Sequence, residues 1–412
     1  MTDRYRWQCT TCSAHYPLDA VRYTCPACPP DEGRLSLAVD YSSLGAKPRP
    51  DADFSMWRYQ DLLPAGHLAR PPLPVGWTPL HRPDRLAERT GIAELYVKNE
   101  TANPTGSLKD RASALVTAAA LERGEQVVVT ASSGNAAAAL AAMTAASGLH
   151  CVVFVPASTP AANLHQIRAY GADLVMVDAD YDTTVELSSA AAQTWGWYCR
   201  NTAVNPYTAE GKKTAALEIV EQLDWCAPDA VVVPVGDGNI LVGLARGFAD
   251  AHSLGWITAV PRLIGVQSAQ SPAVWRAVHA GTNTGTSTGT APARSQAASI
   301  NVGKPQDLRR AVAAVRDTGG TVVLVDDSAL TTAVGELARH TGLLAEPASA
   351  APLAAIPGLL ADGRLDQAER VVLVCTGTGL KTPVDDPRPV PAVPPTLHDV
   401  RDHLASTGWR LP

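Results

Sequence analysis

Short runs of consecutive apolar residues alternate along this chain with longer segments whose apolar positions recur at helical spacing. Unbroken Val, Ile and Leu runs are typical of strands buried on both faces of a parallel sheet. The pattern predicts such strands at 126–131, 151–156, 173–178, 230–235, 262–267, 321–326 and 370–376, with shorter ones at 96–100 and 197–201. It predicts helices at 110–123, 134–147, 161–170, 181–194, 212–223, 238–252 and 327–341. These strands are too many for one comfortable sheet, so we expect an α/β fold with two doubly wound lobes.

Segments outside this alternation divide the chain further. Residues 46–75 are rich in Pro, Asp and Arg, with one helix expected near Met56–Leu63, and residues 279–296 are a Gly/Thr/Ser-rich stretch expected to form a surface loop or lid. The expected organisation has five parts. They are a small cysteine-bearing module (1–45), a linker with the first part of a large lobe (46–110), a small lobe (111–205), the remainder of the large lobe (206–384) and a tail (385–412).

Charge and hydropathy exclude several classes of function. The 412 residues hold 34 Lys and Arg against 40 Asp and Glu, so no basic surplus is present for nucleic acid. The uncharged stretch from Gln126 to Ile167 is cut by Ser, Gly, Asn and Pro, whereas a membrane span needs ~20 continuous apolar residues. We therefore expect a cytoplasmic protein without a membrane or nucleic-acid partner.

Four of the eight cysteines form two closely spaced pairs. Cys9, Cys12, Cys25 and Cys28 make a CxxC–x12–CxxC pattern, which can place four thiolates around one tetrahedral Zn²⁺. The alternatives are two disulfides, which a cytosolic location disfavours, or four free thiols. Four cysteine ligands leave no open coordination position, so the predicted metal is structural, and residues 1–45 are interpreted as a zinc ribbon.

A candidate reactive lysine follows the short strand at 96–100. Asn103 to Ser107 turn the chain, and a helix is predicted to begin at about Lys109. The helix dipole disfavours positive charge at a helix N-terminus, so we expect a lowered pKa for this amine. A lysine of this kind suits a Schiff base with an aldehyde cofactor, although an ordinary solvated lysine would have the same spacing.

Three further loops lie at predicted strand ends, where α/β folds bind ligands. Ser132, Ser133, Gly134 and Asn135 could bind a substrate carboxylate or simply cap a helix. The glycine-rich turn at 236–240 could cradle a phosphate, although a lone GxG often marks only a tight turn. The turn TGTGLK at 376–381 offers hydroxyls after the last strand.

Together, in this order, these loops resemble those of the fold-type II pyridoxal-phosphate (PLP) enzymes. The most similar branch is the threonine synthases. The motifs that carry the resemblance are the cysteine ribbon, NPTGSLKDR at 103–111, NPY with EGKKTAALEI at 205–219, EPASAA at 346–351 and TGTGLK. The resemblance runs from about Cys9 to Lys381 and implies the fold-type II architecture of two α/β lobes.

The resemblance also implies a role for each matching residue. Lys109 would hold PLP through a Schiff base and then move the α-proton of the substrate. Asn135 would lie beside the phenolic oxygen of the cofactor, and Thr376 would be the neutral partner of its pyridine nitrogen. The cofactor phosphate would be bound by Gly236, Asp237, Gly238, Asn239 and Ile240. The substrate carboxylate would be bound by Ser132, Ser133 and Gly134.

Three positions depart from the pattern of that family. Leu108 replaces the usual Phe, which is a change in packing. Ala136 stands where relatives that use phosphohomoserine carry Thr, and Thr208 stands where they carry Arg. Both of the latter changes remove partners for a substrate phosphate, and an Arg is the natural bidentate clamp for that group. Lys212 and Lys213, in the next turn, could compensate for this loss.

The resulting expectation is a PLP-dependent carbon–oxygen lyase or synthase of amino-acid metabolism. It would eliminate a β- or γ-leaving group from a small amino acid and add water or another nucleophile, with O-phosphohomoserine as the default substrate. The alternative is a diverged relative, such as a cysteate-synthase-like β-replacement enzyme or a serine/threonine deaminase. By analogy with the family, we expect a homodimer.

Overall fold

The computed structural model describes residues 4–29, 32–49, 53–280, 295–381 and 391–408. Two compact units are present, Met1–Lys381 and Thr382–Pro412. Most of the Gly/Thr/Ser-rich segment expected to form a loop or lid lies outside the described residues. None of the described helices is long and apolar enough to cross a membrane.

Thirteen strands are found in the described parts of the chain. They are β1 (Tyr5–Cys9), β2 (His15–Pro17), β3 (Leu35–Val39), β4 (Leu80–His81), β5 (Glu94–Asn99), β6 (Val127–Ala131), β7 (His150–Pro156), β8 (Asp173–Val177), β9 (Tyr198–Cys199), β10 (Ala230–Pro234), β11 (Arg262–Ser268), β12 (Thr321–Val325) and β13 (Arg370–Cys375).

The same residues contain thirteen α-helices. They are α1 (Asp84–Thr90), α2 (Lys109–Glu122), α3 (Asn135–Ser147), α4 (Ala161–Ala169), α5 (Tyr181–Trp195), α6 (Tyr207–Lys212), α7 (Thr214–Gln222), α8 (Asn239–Ser253), α9 (Ala273–His279), α10 (Leu308–Asp317), α11 (Asp327–Thr341), α12 (Pro347–Ala361) and, in the second unit, α13 (Leu397–Ser406).

The strands form three sheets. A small antiparallel sheet has the order β2-β1-β3 and carries the cysteine pairs. A six-stranded sheet has the order β12-β11-β10-β13-β5-β4 and is parallel except for the pair β4–β5. A four-stranded parallel sheet has the order β8-β7-β6-β9. The predicted α/β class with two lobes and a small N-terminal module is confirmed, and the finer domain boundaries stay predictions.

In the first unit, the sequence pattern does not predict α1, α6, α9, α10 or α12. The helix predicted at 212–223 corresponds to α7, and α6 precedes it; between them, the bond from Ala216 N to Lys213 O spans three residues and tightens the chain. Helix α12 was not predicted because Pro352 and Pro357 lie inside it. Its buried face, which includes Ala350, packs on β10, β11 and β13, and this packing compensates for the missing backbone donors. The segment expected near Met56–Leu63 is a 3-10 helix.

Candidate active site

Lys109 is the first residue of α2, as the sequence predicts, and a tightly bonded loop holds it there. The carboxylate of Asp110 accepts bonds from Thr105 N at 2.7 Å and from Thr105 Oγ1 at 2.6 Å. Gly106 has a φ of +78° in this turn, and a Cβ there would lie 2.7 Å from Thr378 Cγ2. The turn therefore requires glycine, and it fixes the lysine at the end of β5.

A cavity at the carboxyl ends of the parallel strands contains Lys109. Its walls come from both lobes, and they include most of the residues that the sequence selected. The residues that line the cavity include Lys109, Asn135, Thr202, Gly236, Asp237, Gly238, Asn239, Ile240, Glu346 and Thr376. The sequence could not show that loops so distant along the chain converge, but the strand-end rule predicts the place.

Burial, and to a smaller extent the nearby charge of Arg200, lower the pKa of Lys109 to about 8. The predicted direction is therefore confirmed. The largest cause differs from the expected one, because loss of water around the amine outweighs the position at a helix N-terminus. A pKa of about 8 leaves a substantial neutral fraction near neutral pH, which is the form that attacks an aldehyde carbon.

The glycine-rich turn connects β10 to α8 and approaches its neighbours closely. Gly238 has a φ of +88°, and a Cβ there would lie 2.6 Å from Ala311 Cβ. A Cβ on Gly236 would lie 2.9 Å from Ser299 O. The turn therefore presents bare backbone and the N-terminus of α8 to the cavity, which is an arrangement suited to phosphate.

A fully buried amine stands beside this turn. Lys212 donates to Asn239 Oδ1, and Asn239 Nδ2 donates to Asp307 Oδ2 at 2.6 Å. Burial and the neighbouring cations Lys109 and Arg200 hold the pKa of Lys212 well below its usual value. A bound anion would relieve this accumulation of positive charge. The sequence suggests Lys212 only as a replacement partner for a substrate phosphate, and its place beside the glycine-rich turn becomes visible only in the structure.

Asn135 joins the two lobes at the cavity. Its Nδ2 lies 3.1 and 3.2 Å from the carboxylate oxygens of Glu346, and its Oδ1 accepts a bond of 3.0 Å from Lys381 Nζ. A Cβ on Gly377 would lie 2.9 Å from Glu346 Oε1, so the backbone of the TGTGLK turn closely approaches this carboxylate. Glu346 and Lys381 lie in motifs that the sequence analysis quoted, but it gave them no role.

Thr376 follows β13 and faces the cavity. Its hydroxyl lies 2.8 Å from Ser349 Oγ on α12, and its backbone oxygen accepts a bond of 2.9 Å from Leu108 N. The second contact ties the end of β13 to the loop that holds Lys109. The side-chain partner of Thr376 is thus a neutral hydroxyl, in keeping with the neutral character that the sequence analysis expects at this position.

The predicted carboxylate loop lies at the start of α3. Ser132 Oγ accepts a bond of 3.2 Å from Gly134 N, and Ser132 N donates to Phe154 O at 3.2 Å. Ser132, Ser133 and Gly134 do not line the cavity around Lys109, whereas the adjacent Asn135 does. Their assignment to the substrate carboxylate stays a prediction.

Thr208 is not a wall of this cavity. It is fully buried in α6, and its hydroxyl donates to Asn205 O at 2.7 Å. An arginine here would have to enter a packed interior. Ala136 lies one residue into α3 and is half-buried.

The ribbon cysteines converge as their spacing predicts. All four Sγ atoms lie within 4.8 Å of one another, with Cys9 and Cys28 at 3.8 Å and Cys12 and Cys25 at 3.7 Å. Zn–S bonds of about 2.3 Å in a tetrahedron place sulfur atoms about 3.8 Å apart. The cysteines are free thiols in a geometry that suits a four-coordinate metal, so the alternative of two disulfides is not formed.

The cavity also fits PLP. It combines an amine of lowered pKa, a phosphate-sized turn of bare backbone with a buried cation, and a neutral hydroxyl after a strand. In addition, the buried Nη2 of Arg200 has no hydrogen-bond partner among the described residues. These groups together suit an aldehyde cofactor that carries a phosphate.

The chain belongs to the family described as pyridoxal-phosphate dependent enzyme, which matches residues 72–377. It is a PLP-dependent lyase or synthase similar to threonine synthases. It is 36% identical over 385 residues to the threonine synthase of Methanosarcina acetivorans, covering 92% of this chain and 93% of that protein. It is 35% identical over 382 residues to the threonine synthase of Methanocaldococcus jannaschii, covering 91% of this chain and 93% of that protein. A solved threonine deaminase, from T.th., superposes with a TM-score of 0.62 at 27% identity, covering 73% of this chain and 92% of that one.

Proposed function

We propose that this protein is a threonine synthase, a carbon–oxygen lyase that releases phosphate from O-phosphohomoserine and adds water to form threonine. The observation that carries the proposal is the cavity in which the Lys109 amine lies with a phosphate-type turn, close to two further buried cations, Lys212 and Arg200. These three basic side chains, in or close to a cavity that also holds the carboxylates of Asp237 and Glu346, suit a cofactor and a substrate that both carry phosphate. Similarity to threonine synthases over nine-tenths of the chain supports it.

Each residue of the cavity then has a proposed task. Bound PLP supplies the electron sink that makes the α-hydrogen of an amino acid acidic. Lys109 anchors the cofactor, and its amine, with a pKa of about 8, accepts and returns the α-proton. The backbone of 236–240 and Lys212 bind the cofactor phosphate, and Asn135 borders its ring. Ser132, Ser133 and Gly134 receive the substrate carboxylate.

Thr376 and Ser349 determine the character of the ring-nitrogen contact in this proposal. Both hydroxyls are buried and bonded to each other, so a neutral oxygen would be the partner of the pyridine nitrogen of bound PLP. A neutral partner leaves that nitrogen without a proton, which favours elimination over reactions that need a full positive charge on the ring.

The ribbon is proposed to hold a structural Zn²⁺ on Cys9, Cys12, Cys25 and Cys28. Sulfur spacings near those of a zinc tetrahedron support this metal over an oxygen-seeking one. A cytoplasmic location and a homodimer also belong to this proposal, the latter by analogy with the family.

The test is an assay of the purified holoenzyme with O-phosphohomoserine, following threonine by mass spectrometry and phosphate by colour formation. Equal amounts of the two products, absent with Lys109→Ala, are expected. O-phosphoserine, O-acetylserine, serine and threonine are tested in parallel. Turnover of one of these with none of O-phosphohomoserine would replace the proposal by the β-replacement or deaminase alternative.

A further inference from the structure

Arg200 follows β9 and is fully buried, yet it has no ionic partner among the described residues. Its Nε donates to Ser113 Oγ at 3.2 Å and its Nη1 to Thr202 Oγ1 at 2.7 Å. Its Nη2 is buried and bonded to none of these residues. In the part of the chain that the structure describes, no carboxylate lies within 4.0 Å of this guanidinium.

Two other buried cations of the molecule are treated differently. Arg111, also fully buried, forms ion pairs with Glu100 at 2.7 Å and with Glu218. Lys98 is paired with Glu218 at 2.7 Å. Burying a charge without a counter-ion is costly, and proteins accept it mainly where function needs it. Arg200 differs from both of these residues, and its free donor indicates a ligand rather than a structural pair.

The guanidinium lies directly behind a wall residue of the cavity that contains Lys109, and Arg200 itself is not among the lining residues. Thr202 Oγ1 accepts the hydrogen bond from Arg200 Nη1, and Thr202 lines that cavity. Arg200 is also close enough for its charge to lower the pKa of both Lys109 and Lys212, while burial lowers its own pKa to about 10. After burial, the groups that act on its pKa are Tyr181 and Cys199, followed by the carboxylates of Asp237 and Asp110, and neither carboxylate forms an ion pair with it.

Two anions could neutralise this charge, the cofactor phosphate and an anionic group of the substrate. The phosphate-type turn at 236–240 and Lys212 belong to the elements around the six-stranded sheet, and together they already provide a site for the cofactor phosphate. Arg200 follows an edge strand of the four-stranded sheet instead. The substrate is therefore the better candidate for its ligand.

We propose that Arg200 binds the phosphate of the leaving group and so determines specificity for phosphorylated amino acids. This inference rests on the proposed function and deepens it. The family pattern places the expected phosphate-binding arginine at 208, where this chain has a fully buried Thr208 with its hydroxyl bonded to Asn205 O. Arg200, eight residues earlier on the segment that ends in α6, would supply the missing guanidinium.

The experiment compares wild-type holoenzyme with Arg200→Met and Arg200→Lys. The dissociation constants of O-phosphohomoserine and homoserine, which share a skeleton and differ by the phosphate, are measured from the change in cofactor absorbance. For Arg200→Met, the dissociation constant of O-phosphohomoserine should rise about 10- to 100-fold, which is the range for the loss of one charge-assisted hydrogen bond. The dissociation constant of homoserine should change little. Arg200→Lys should retain part of the preference for O-phosphohomoserine over homoserine.

Three controls make the result specific. Arg168→Met removes the same charge from an exposed position and should bind both compounds as wild type does. Inorganic phosphate should compete with O-phosphohomoserine in wild type and lose this effect in Arg200→Met. Thermal denaturation checks folding, and Arg200→Met should be at least as stable as wild type because it removes an unpaired buried charge.

Several results would overturn the inference. Equal weakening of O-phosphohomoserine and homoserine would make Arg200 a carboxylate or packing residue. Weaker binding of PLP to the Arg200→Met apoenzyme would assign it to the cofactor phosphate. Unchanged binding of O-phosphohomoserine would leave it without a ligand. If wild type binds O-phosphohomoserine through Arg200 but forms no threonine, the proposed function fails while this inference stands.

Discussion

The indole of Trp7 packs edge-on against the ring of Tyr207, with ring centroids 5.1 Å apart and planes at 79°. Trp7 is the fully buried centre of the cysteine-bearing sheet, and Tyr207 begins α6, the helix that ends at Lys212. The same sheet region contacts other elements through a bond of 2.8 Å from Arg310 Nη1 to Leu35 O. The ribbon is therefore part of the packing around the cavity rather than an appended module.

Removal of the ribbon metal should destabilise the whole enzyme. We expect Cys25→Ser to lose the metal and to lower the melting temperature by about 5 °C or more, because metal binding supplies the folding energy of so small a sheet. Metal content by mass spectrometry and thermal denaturation measure the two effects. The variant that remains folded should keep the absorbance of bound cofactor.

Cys226→Ser is the matched control, because Cys226 is a free, exposed cysteine outside the cluster. It should retain one zinc per chain and the wild-type melting temperature. A wild-type protein without metal, or an unchanged melting temperature in Cys25→Ser, would contradict a structural zinc site.

Lys109 should be the lysine that carries the cofactor, although two other lysines lie nearby. Lys212 is bonded to Asn239, and Lys381 is bonded to Asn135, so both are committed to protein partners. Borohydride reduction of the holoenzyme followed by peptide mass spectrometry should place the label on Lys109 alone. Lys109→Ala should lose the absorption band of lysine-bound cofactor.

Lys381→Met is the control for proximity, since it removes an amine from the same cavity region. It should keep the label on Lys109 and a visible cofactor band. Label on Lys381 or Lys212 in wild type would overturn the assignment of the anchor.

The sequence predicts the two-lobe architecture and the anchor loop well, because strongly apolar strands and loops at strand ends leave local signals. The strands β6, β7 and β10 and the start of α2 at Lys109 all agree with the pattern. Helix α12 was missed because Pro352 and Pro357 mark a local break that long-range packing overrides.

The site roles missed from the sequence share a different property. They depend on contacts with residues that are distant in the sequence. The residues with these roles are Arg200, Glu346 and Lys212. A buried cation without a counter-ion has no signature in a sequence, because an arginine beside a short strand is usually a paired or exposed residue. The signal appears only when partners can be enumerated in space.

Gly238 should be intolerant of a side chain for two separable reasons. Gly238→Ala would place a Cβ 2.6 Å from Ala311 Cβ and would hold alanine at a φ of +88°. We expect a loss of about 1–3 kcal/mol in the free energy of unfolding and weaker binding of PLP. Denaturant unfolding and titration of the apoenzyme with PLP measure the two losses.

Gly255→Ala separates strain from collision. Gly255 has a φ of +69°, but a Cβ there meets nothing within 4 Å among the described residues. This variant should lose only the smaller, conformational part of the stability and should bind PLP normally. Equal PLP affinity in Gly238→Ala and wild type would show that the turn at 236–240 does not hold the cofactor phosphate.

The rate at which the apoenzyme captures PLP should depend on pH through Lys109. Only the neutral amine attacks the aldehyde, and the pKa of this amine is lowered from 10.5 to about 8 by burial and by Arg200. Capture should therefore accelerate by about tenfold per pH unit below pH 8 and level off above it, because each unit below the pKa removes nine-tenths of the neutral form. Stopped-flow absorbance between pH 7 and about 9.5 gives the midpoint, with a small lysine derivative as the unburied reference.

An enzyme midpoint near that of the reference would mean that the cavity does not desolvate Lys109. A shift of the midpoint to higher pH in Arg200→Met would show that the two cations act on each other across the cavity.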